Sequence, residues 1–289
     1  MADQGPLKRG GSRQGIYALT ASGRFLFHAW GDVSPDVLRQ KLREAVRVFK
    51  ALLDNDRSPD VPENVKLDPD YSRSPPPGTL ILSVYSRALD QKRGEWCACD
   101  ERVVLDNRIG VRVLTAYDHL WIMEEEWKAM IPASAKKGDV LPVPAAVVKR
   151  VSRFHLVDNT RGEPGYWKEK ELQRTNMTLK IDDVSGTLIK MRLDGEALLA
   201  SDADAQRAKR GFDVSLIGYV DYDVSTKKFR RFDLLAIGTR WGSNPWSTSR
   251  PGRTPLGIVF ELTRGDSAAD RLPPLAARDW RMYLTSIGN

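Results

Sequence analysis

Met177-Thr178-Leu179-Lys180-Ile181-Asp182, resumed after Ser185-Gly186 by Ile189-Lys190-Met191-Arg192-Leu193, sets the period of this chain. Apolar side chains fall on the odd positions, and Thr178, Lys180, Asp182, Lys190 and Arg192 lie between them. The phase runs on through Ala197 and Leu199, with Asp194 and Glu196 as alternates. Successive side chains of a strand point to opposite faces, so this alternation predicts a sheet with one dry and one wet face. Asp183-Val184-Ser185-Gly186 supplies the turn, where glycine is free to take a positive φ.

Working outward, Phe212, Val214, Leu216, Gly218, Val220 and Tyr222 share one face of a further strand. Phe229 to Ile237 returns from a polar connection, with Phe232, Leu234 and Ala236 opposing Arg231, Asp233, Leu235 and Ile237. Leu256, Ile258, Phe260 and Leu262 alternate in a fifth strand. Strands of this kind joined by short turns predict an antiparallel sandwich or a small barrel. The dry face needs a second layer or closure to cover it.

The remainder adds helices and a strap. Ile16 to Thr20 and Arg24 to Trp30 predict a β-hairpin across Ala21-Ser22-Gly23. Ser34-Pro35-Asp36 predicts a helix start, with Ser34 as N-cap, proline at the first helical position and an acid by the positive end of the dipole. Leu38, Leu42, Ala45, Val46, Phe49 and Leu53 then recur on one helical face. Residues 54–78 hold Pro59, Pro62, Pro69, Pro75, Pro76 and Pro77 among charges, which predicts a linker or extended strap. Thr79 to Arg87 reads as a strand, Val103 to Leu105 and Val111 to Leu114 as shorter ones. Met123 to Ile131 reads as a helix stopped by Pro132, and Pro144 opens another through Val147, Val148, Val151 and Phe154. The tail from Pro273 to Tyr283 is expected to pack on the sheet. The expected class is therefore β-dominated α+β: a basic arm over 1–14, a ββα unit over 15–53, the strap over 54–78 and an antiparallel β domain over 79–289.

The stretch Tyr17-Ala18-Leu19-Thr20-Ala21-Ser22-Gly23-Arg24-Phe25-Leu26, with the helix after it, resembles the closing ββα of the thioredoxin fold. The resemblance covers residues 15–53 alone. That family's redox Cys-x-x-Cys and cis-proline lie upstream of this hairpin, and this chain has no room for them, so no active-site residue carries over.

Composition narrows the function classes. At 289 residues about two domains are expected, and a 41% hydrophobic content is too high for global disorder. No apolar run approaches the roughly 20 residues that a transmembrane helix needs. Met1 to Gln14 holds no apolar core of a signal peptide, yet a processed start would leave secretion open, so the compartment stays open. The net charge of +7 favours anionic partners, but 45 basic residues against 38 acidic ones make a mixed surface. No helix-turn-helix, zinc-finger or RNA-recognition signature occurs. Gly-rich phosphate loops are absent too, and no cofactor is expected.

Three candidate sites remain, each with a plainer alternative. Cys97-Ala98-Cys99 points two thiols to one side of a strand and could hold a soft metal, but two ligands make half a site; the alternative is a pair of small buried thiols. Asp118-His119 and His155-Leu156-Val157-Asp158, the latter with Arg161 and Glu163 in an irregular segment, could form acid/base pairs, the second that of a hydrolase; its alternative is hydrogen bonding to backbone at a helix end. Trp241-Gly242-Ser243-Asn244-Pro245-Trp246, followed by Arg250 and Arg253, places flat aromatic faces beside guanidinium groups, which suits an acidic glycan, another anionic ligand or a protein partner. Its alternative is a long loop whose tryptophans cap the end of the sheet. The resulting expectation is a non-catalytic binding or assembly protein, an accessory subunit of a larger complex, with Trp241, Trp246, Arg250 and Arg253 as contacts. The competing expectation is a hydrolase with its site near His155 and Asp158.

Overall fold

The structure, a computed structural model, describes residues 15–20, 24–29, 33–53, 74–99, 103–105, 108–110, 114–245, 247, 252–265, 267, 269–278 and 280–284. The chain forms two compact units, residues 1–68 and 69–289.

In the first unit β1 (Ile16–Leu19) pairs antiparallel with β2 (Phe25–Ala29), and α1 (Pro35–Ala51) follows. The hairpin turn at 21–23, Trp30, the arm and residues 54–73 of the strap lie outside the described residues. Ser34 caps α1 as its sequence requires: the side-chain oxygen accepts the Val37 N–H at 3.4 Å, and Pro35 sits in the first turn. Of the predicted apolar face Ala45 is buried, while Leu42, Val46 and Phe49 are exposed within this unit, and Leu53 is 77% exposed with Leu52 buried in its place. The helix stops one residue before Leu52, whose backbone is already extended, so the helical period no longer places Leu53. Replacing Ser34 with Ala is expected to cost about 1 kcal/mol of helix stability. Amide exchange at Asp36 to Leu38 reports this, and unchanged exchange there would show that the cap carries no weight.

The second unit is built on one antiparallel sheet of nine strands. Its elements are β3 (Leu80–Lys92), β4 (Glu95–Ala98), β7 (Thr115–Ile122), β8 (Val140–Pro142), β9 (Leu172–Ser185), β10 (Leu188–Ala200), β11 (Gly211–Asp223), β12 (Lys228–Trp241) and β13 (Arg253–Leu262). A small hairpin of β5 (Val103–Leu105), a strand the sequence predicted, and β6 (Arg108–Gly110) lies between β4 and β7 in sequence, and residues 111–113 of the strand expected at Val111 to Leu114 lie outside the described residues. The sheet runs β4-β3-β13-β12-β11-β10-β9-β8, and β7 also pairs with β3. The fold is the β-dominated α+β class that the alternation predicted, a small two-stranded sheet and a large antiparallel one with few helices, and among the described residues the large sheet does not close into a barrel.

The predicted dry face is the observed one. Leu179, Ile181, Met191, Leu193, Val220, Phe232, Leu234, Ile258 and Phe260 join one buried cluster. The odd phase survives the β9–β10 hairpin because a bulge at Asp182, between the Asp183–Lys190 and Ile181–Met191 pairs, adds one residue to β9; the two-residue loop, Gly186-Thr187, where Gly186 takes φ +58°, would by itself reverse it. The layer that covers this face is helical. α2 (Glu124–Lys128) and α3 (Ala145–Arg150) precede a π-helical turn, Val151–His155, and Val147, Val151 and Leu156 lie in the same cluster as the strands. A dry cavity of about 10 Å3 is lined by Leu82 and Leu120 from one end of the sheet, Met177 and Leu193 from the other, and Val147 between them. The sheet therefore curls around α3.

The sheet stops at β7, which among the described residues has β3 as its one strand partner. On its other edge the Trp121 N–H donates to the Tyr283 hydroxyl at 3.2 Å, and the Trp121 carbonyl accepts from Arg150. Side chains from α3 and from α4 (Trp280–Leu284) thus stand where a further strand would pair. Ala276, Ala277 and Tyr283 bury against Trp121 and Met123, so the tail packs on the sheet as expected. The wet face carries one apolar row in exact cross-strand register, Ile217, Leu235, Val259, Tyr85 and Tyr117, all exposed.

Candidate functional site

Trp241 and Arg253 close β12 and open β13, and they are cross-strand partners. The strands therefore extend further into the expected loop than the apolar run suggested. The Trp241 indole is buried against Ala200 and Ala208, and its N–H donates to the Ala208 carbonyl at 2.9 Å. The Arg253 guanidinium stacks 3.8 Å from the ring centre. Gly211 lies under the same ring; a Cβ there would overlap the indole. Trp246 and Arg250 lie outside the described residues.

Beside this stack the segment 156–167 meets the ends of β11 and β12 in a recess of about 30 Å3. Arg161, Arg210 and Arg240 line it, together with Asp158. Each arginine is held by its own framework. Arg240 sits in phase with Phe232, Leu234 and Ala236, so β12 points it inward; its Nε donates to Thr254 Oγ1 at 3.0 Å and its Nη1 to the Gly242 carbonyl at 2.8 Å. Arg210 stacks 4.0 Å from the Trp167 ring centre and donates to the Gly165 carbonyl at 2.8 Å. Its second nitrogen lies 3.6 Å from Glu171, a carboxylate that opposes the downward push of burial on the Arg210 pKa. Arg161, 4% exposed, pairs with Asp158 three residues earlier through Nε and Nη2.

Asp158 is fully engaged. One oxygen accepts from the Thr160 N–H and hydroxyl, at 3.1 and 2.7 Å, and the other holds Arg161 and lies 3.3 Å from Arg240 Nε. The residue positions guanidinium groups and has no lone pair left over for base work. Arg240 is different. It is 5% exposed, and its Nη2 has no hydrogen-bond partner among the described residues.

His155, expected beside Asp158, faces elsewhere. The π-helical turn ends at His155 and the chain then bends, so three residues separate two surroundings. His155 is buried, with Nε2 3.0 Å from the Tyr283 hydroxyl and Nδ1 3.7 Å from Asp118. Burial, then the nearby Arg150 charge, lower its pKa to about 3, so the imidazole is neutral. Glu163 enters through its backbone, its carbonyl accepting from Asn244 at 3.1 Å and its neighbour Gly162 bridging to Ser247. Cys99 is buried with Ala88 and Leu114, and Cys97 is half-buried with its thiol 3.6 Å from the Asp90 carbonyl. Among the described residues no three His, Cys, Asp or Glu side chains gather as metal ligands.

Arg210, Arg240 and Trp167 did not figure among the expected site residues. Arg240 had a visible signal, a charge in phase with the dry face of its strand. Arg210 and Trp167 had none, since their stack joins positions 43 apart across two loops. Comparison of the chain with protein-family models, with curated proteins and with solved structures finds no match.

Proposed function

We propose that the larger unit is a non-catalytic binding module and that the arginine recess seats an anionic group of its ligand or partner. The observation that carries this reading is Arg240 Nη2. A buried charged donor without an acceptor costs several kcal/mol, on the order of 1–3 or more. A bound anion removes that cost, and arginine forks suit carboxylate and phosphate oxygens. The stacks on Trp167 and Trp241 fix the planes of Arg210 and Arg253 in advance, which reduces the entropy lost on binding. The reading of the region as an anion contact near Trp241 is thus kept, with its centre moved from the loop to the strand ends. Assembly as an accessory subunit would draw on the apolar row of the wet face and leaves the recess unexplained. A hydrolase centred on His155 would need that side chain at a surface it does not reach.

The test is a thermal-unfolding series at constant ionic strength. Small anions at millimolar concentration are expected to raise the Tm of the parent and not that of Arg240→Gln, by the linkage between binding and stability. Equal Tm values for the parent in these anions and in matched chloride would overturn the proposal.

A further inference from the structure

Resting on the anion-site reading, we infer that the ligand is a polycarboxylate: one carboxylate enters the recess, and at least one further acidic group lies in the groove outside it. Size speaks first. A buried water needs about 10–15 Å3 of such space, so a recess of about 30 Å3 accepts roughly two oxygen-sized occupants. A carboxylate presents two oxygens; a phosphate presents three or four. Charge speaks second. Three guanidinium groups, Arg161, Arg210 and Arg240, face the carboxylates of Asp158 and Glu171, which leaves one positive charge in excess. One carboxylate balances that charge. A phosphate monoester carries about −1.5 to −2 at neutral pH and would bring an unmatched charge into a buried site.

The recess opens toward a groove of about 510 Å3, and Arg210, Ser243 and Asn244 line both. Lys168, Arg207 and Lys209 add three cations to the groove, against Asp202 and the Glu171 already counted beside Arg210. None of the three has an ion-pair partner among the described residues. The groove thus holds its own positive excess, and it begins at the residue that forms the recess wall. A ligand whose head is seated between the arginines would carry its body past Lys168 and Lys209, and a second acidic group there would meet them.

The experiment is calorimetric titration of the full chain, at fixed ionic strength, with butyrate, tricarballylate, inorganic phosphate and sulfate. Tricarballylate is expected to bind tightest. Its affinity is expected to fall about tenfold in Lys168→Gln/Lys209→Gln, the equivalent of about 1.4 kcal/mol, while butyrate binding is unchanged. Both lysines are exposed, so the double variant keeps the fold. Phosphate or sulfate binding as tightly as tricarballylate would overturn the carboxylate assignment and leave the anion site standing. Tricarballylate affinity unchanged in the double variant would overturn the second acidic contact. Failure of all four to bind would overturn both this inference and the anion-site reading.

Discussion

Glu126→Ala is expected to destabilise the larger unit by about 3–5 kcal/mol, because it leaves a buried guanidinium without its counter-ion. Both oxygens of Glu126 pair with Arg150, Oε1 with Nη2 at 2.8 Å and Oε2 with Nη1. Oε2 also accepts the Met123 N–H at 2.8 Å, which closes the first turn of α2. Arg150 is entirely buried, and its remaining bonds run to the backbone of Tyr283 and Trp121. The pair therefore ties α2, α3, the open edge of β7 and the C-terminal helix into one unit. A loss of that size is a large share of the 5–15 kcal/mol that holds an ordinary domain together. The companion variant Glu126→Leu/Arg150→Met removes both charges, and it is expected to recover most of the loss, since an apolar pair leaves no charge buried and unpaired. Urea unfolding checks both. A single-variant loss below about 1 kcal/mol would mean that water reaches Arg150.

The extent to which the sequence forecasts this architecture differs by element, for physical reasons. Strands β9 to β13 were legible because each has one dry face, and period two is then visible in the residues themselves. β7 was not. Leu120 and Ile122 face the helical layer while Trp121 meets the C-terminal tail, so both faces are covered and the alternation disappears. The openness of the sheet was also hidden. It depends on Tyr283 reaching the edge at Trp121 across 162 residues, a contact that no local pattern encodes.

The candidate site divides in the same way. Asp158 and Arg161 stand three apart and were legible as a polar cluster. Their true partners, Arg210 and Arg240, come from strand ends that only the folded sheet brings near. His155 shows the converse failure. Closeness in sequence suggested a pair with Asp158, but the backbone turns between them, and burial assigns His155 to Asp118 and Tyr283 instead.

Asp118→Asn is expected to stabilise the protein by about 3 kcal/mol at pH 8 and to lose that advantage by about pH 4. Asp118 is 9% exposed, and burial raises its pKa from 3.8 to about 6 against two backbone N–H donors, Leu275 and His119, each at 2.8 Å. The folded state thus holds a proton that the unfolded chain releases between pH 3.8 and 6. That contribution is fully present below pH 3.8 and is lost as pH rises through 6, leaving a buried carboxylate that weakens the fold in neutral solution. Asparagine keeps an oxygen for the two N–H donors and has no proton to lose. His155 acts in the opposite sense. Its pKa is lowered from 6.5 to about 3, so its contribution is present above 6.5 and is lost as pH falls toward 3. In the parent the two slopes oppose each other between pH 3.8 and 6, and stability is expected to vary little there. In Asp118→Asn the opposing slope is gone while those of His155 and of His119, whose pKa burial also lowers, remain, so stability should fall steadily on acidification through the same window. Urea midpoints at pH 4, 5, 6, 7 and 8 separate the two curves. A variant less stable than the parent at pH 8 would show that the Asp118 charge is compensated in the fold, and the opposing-slope account would then fail.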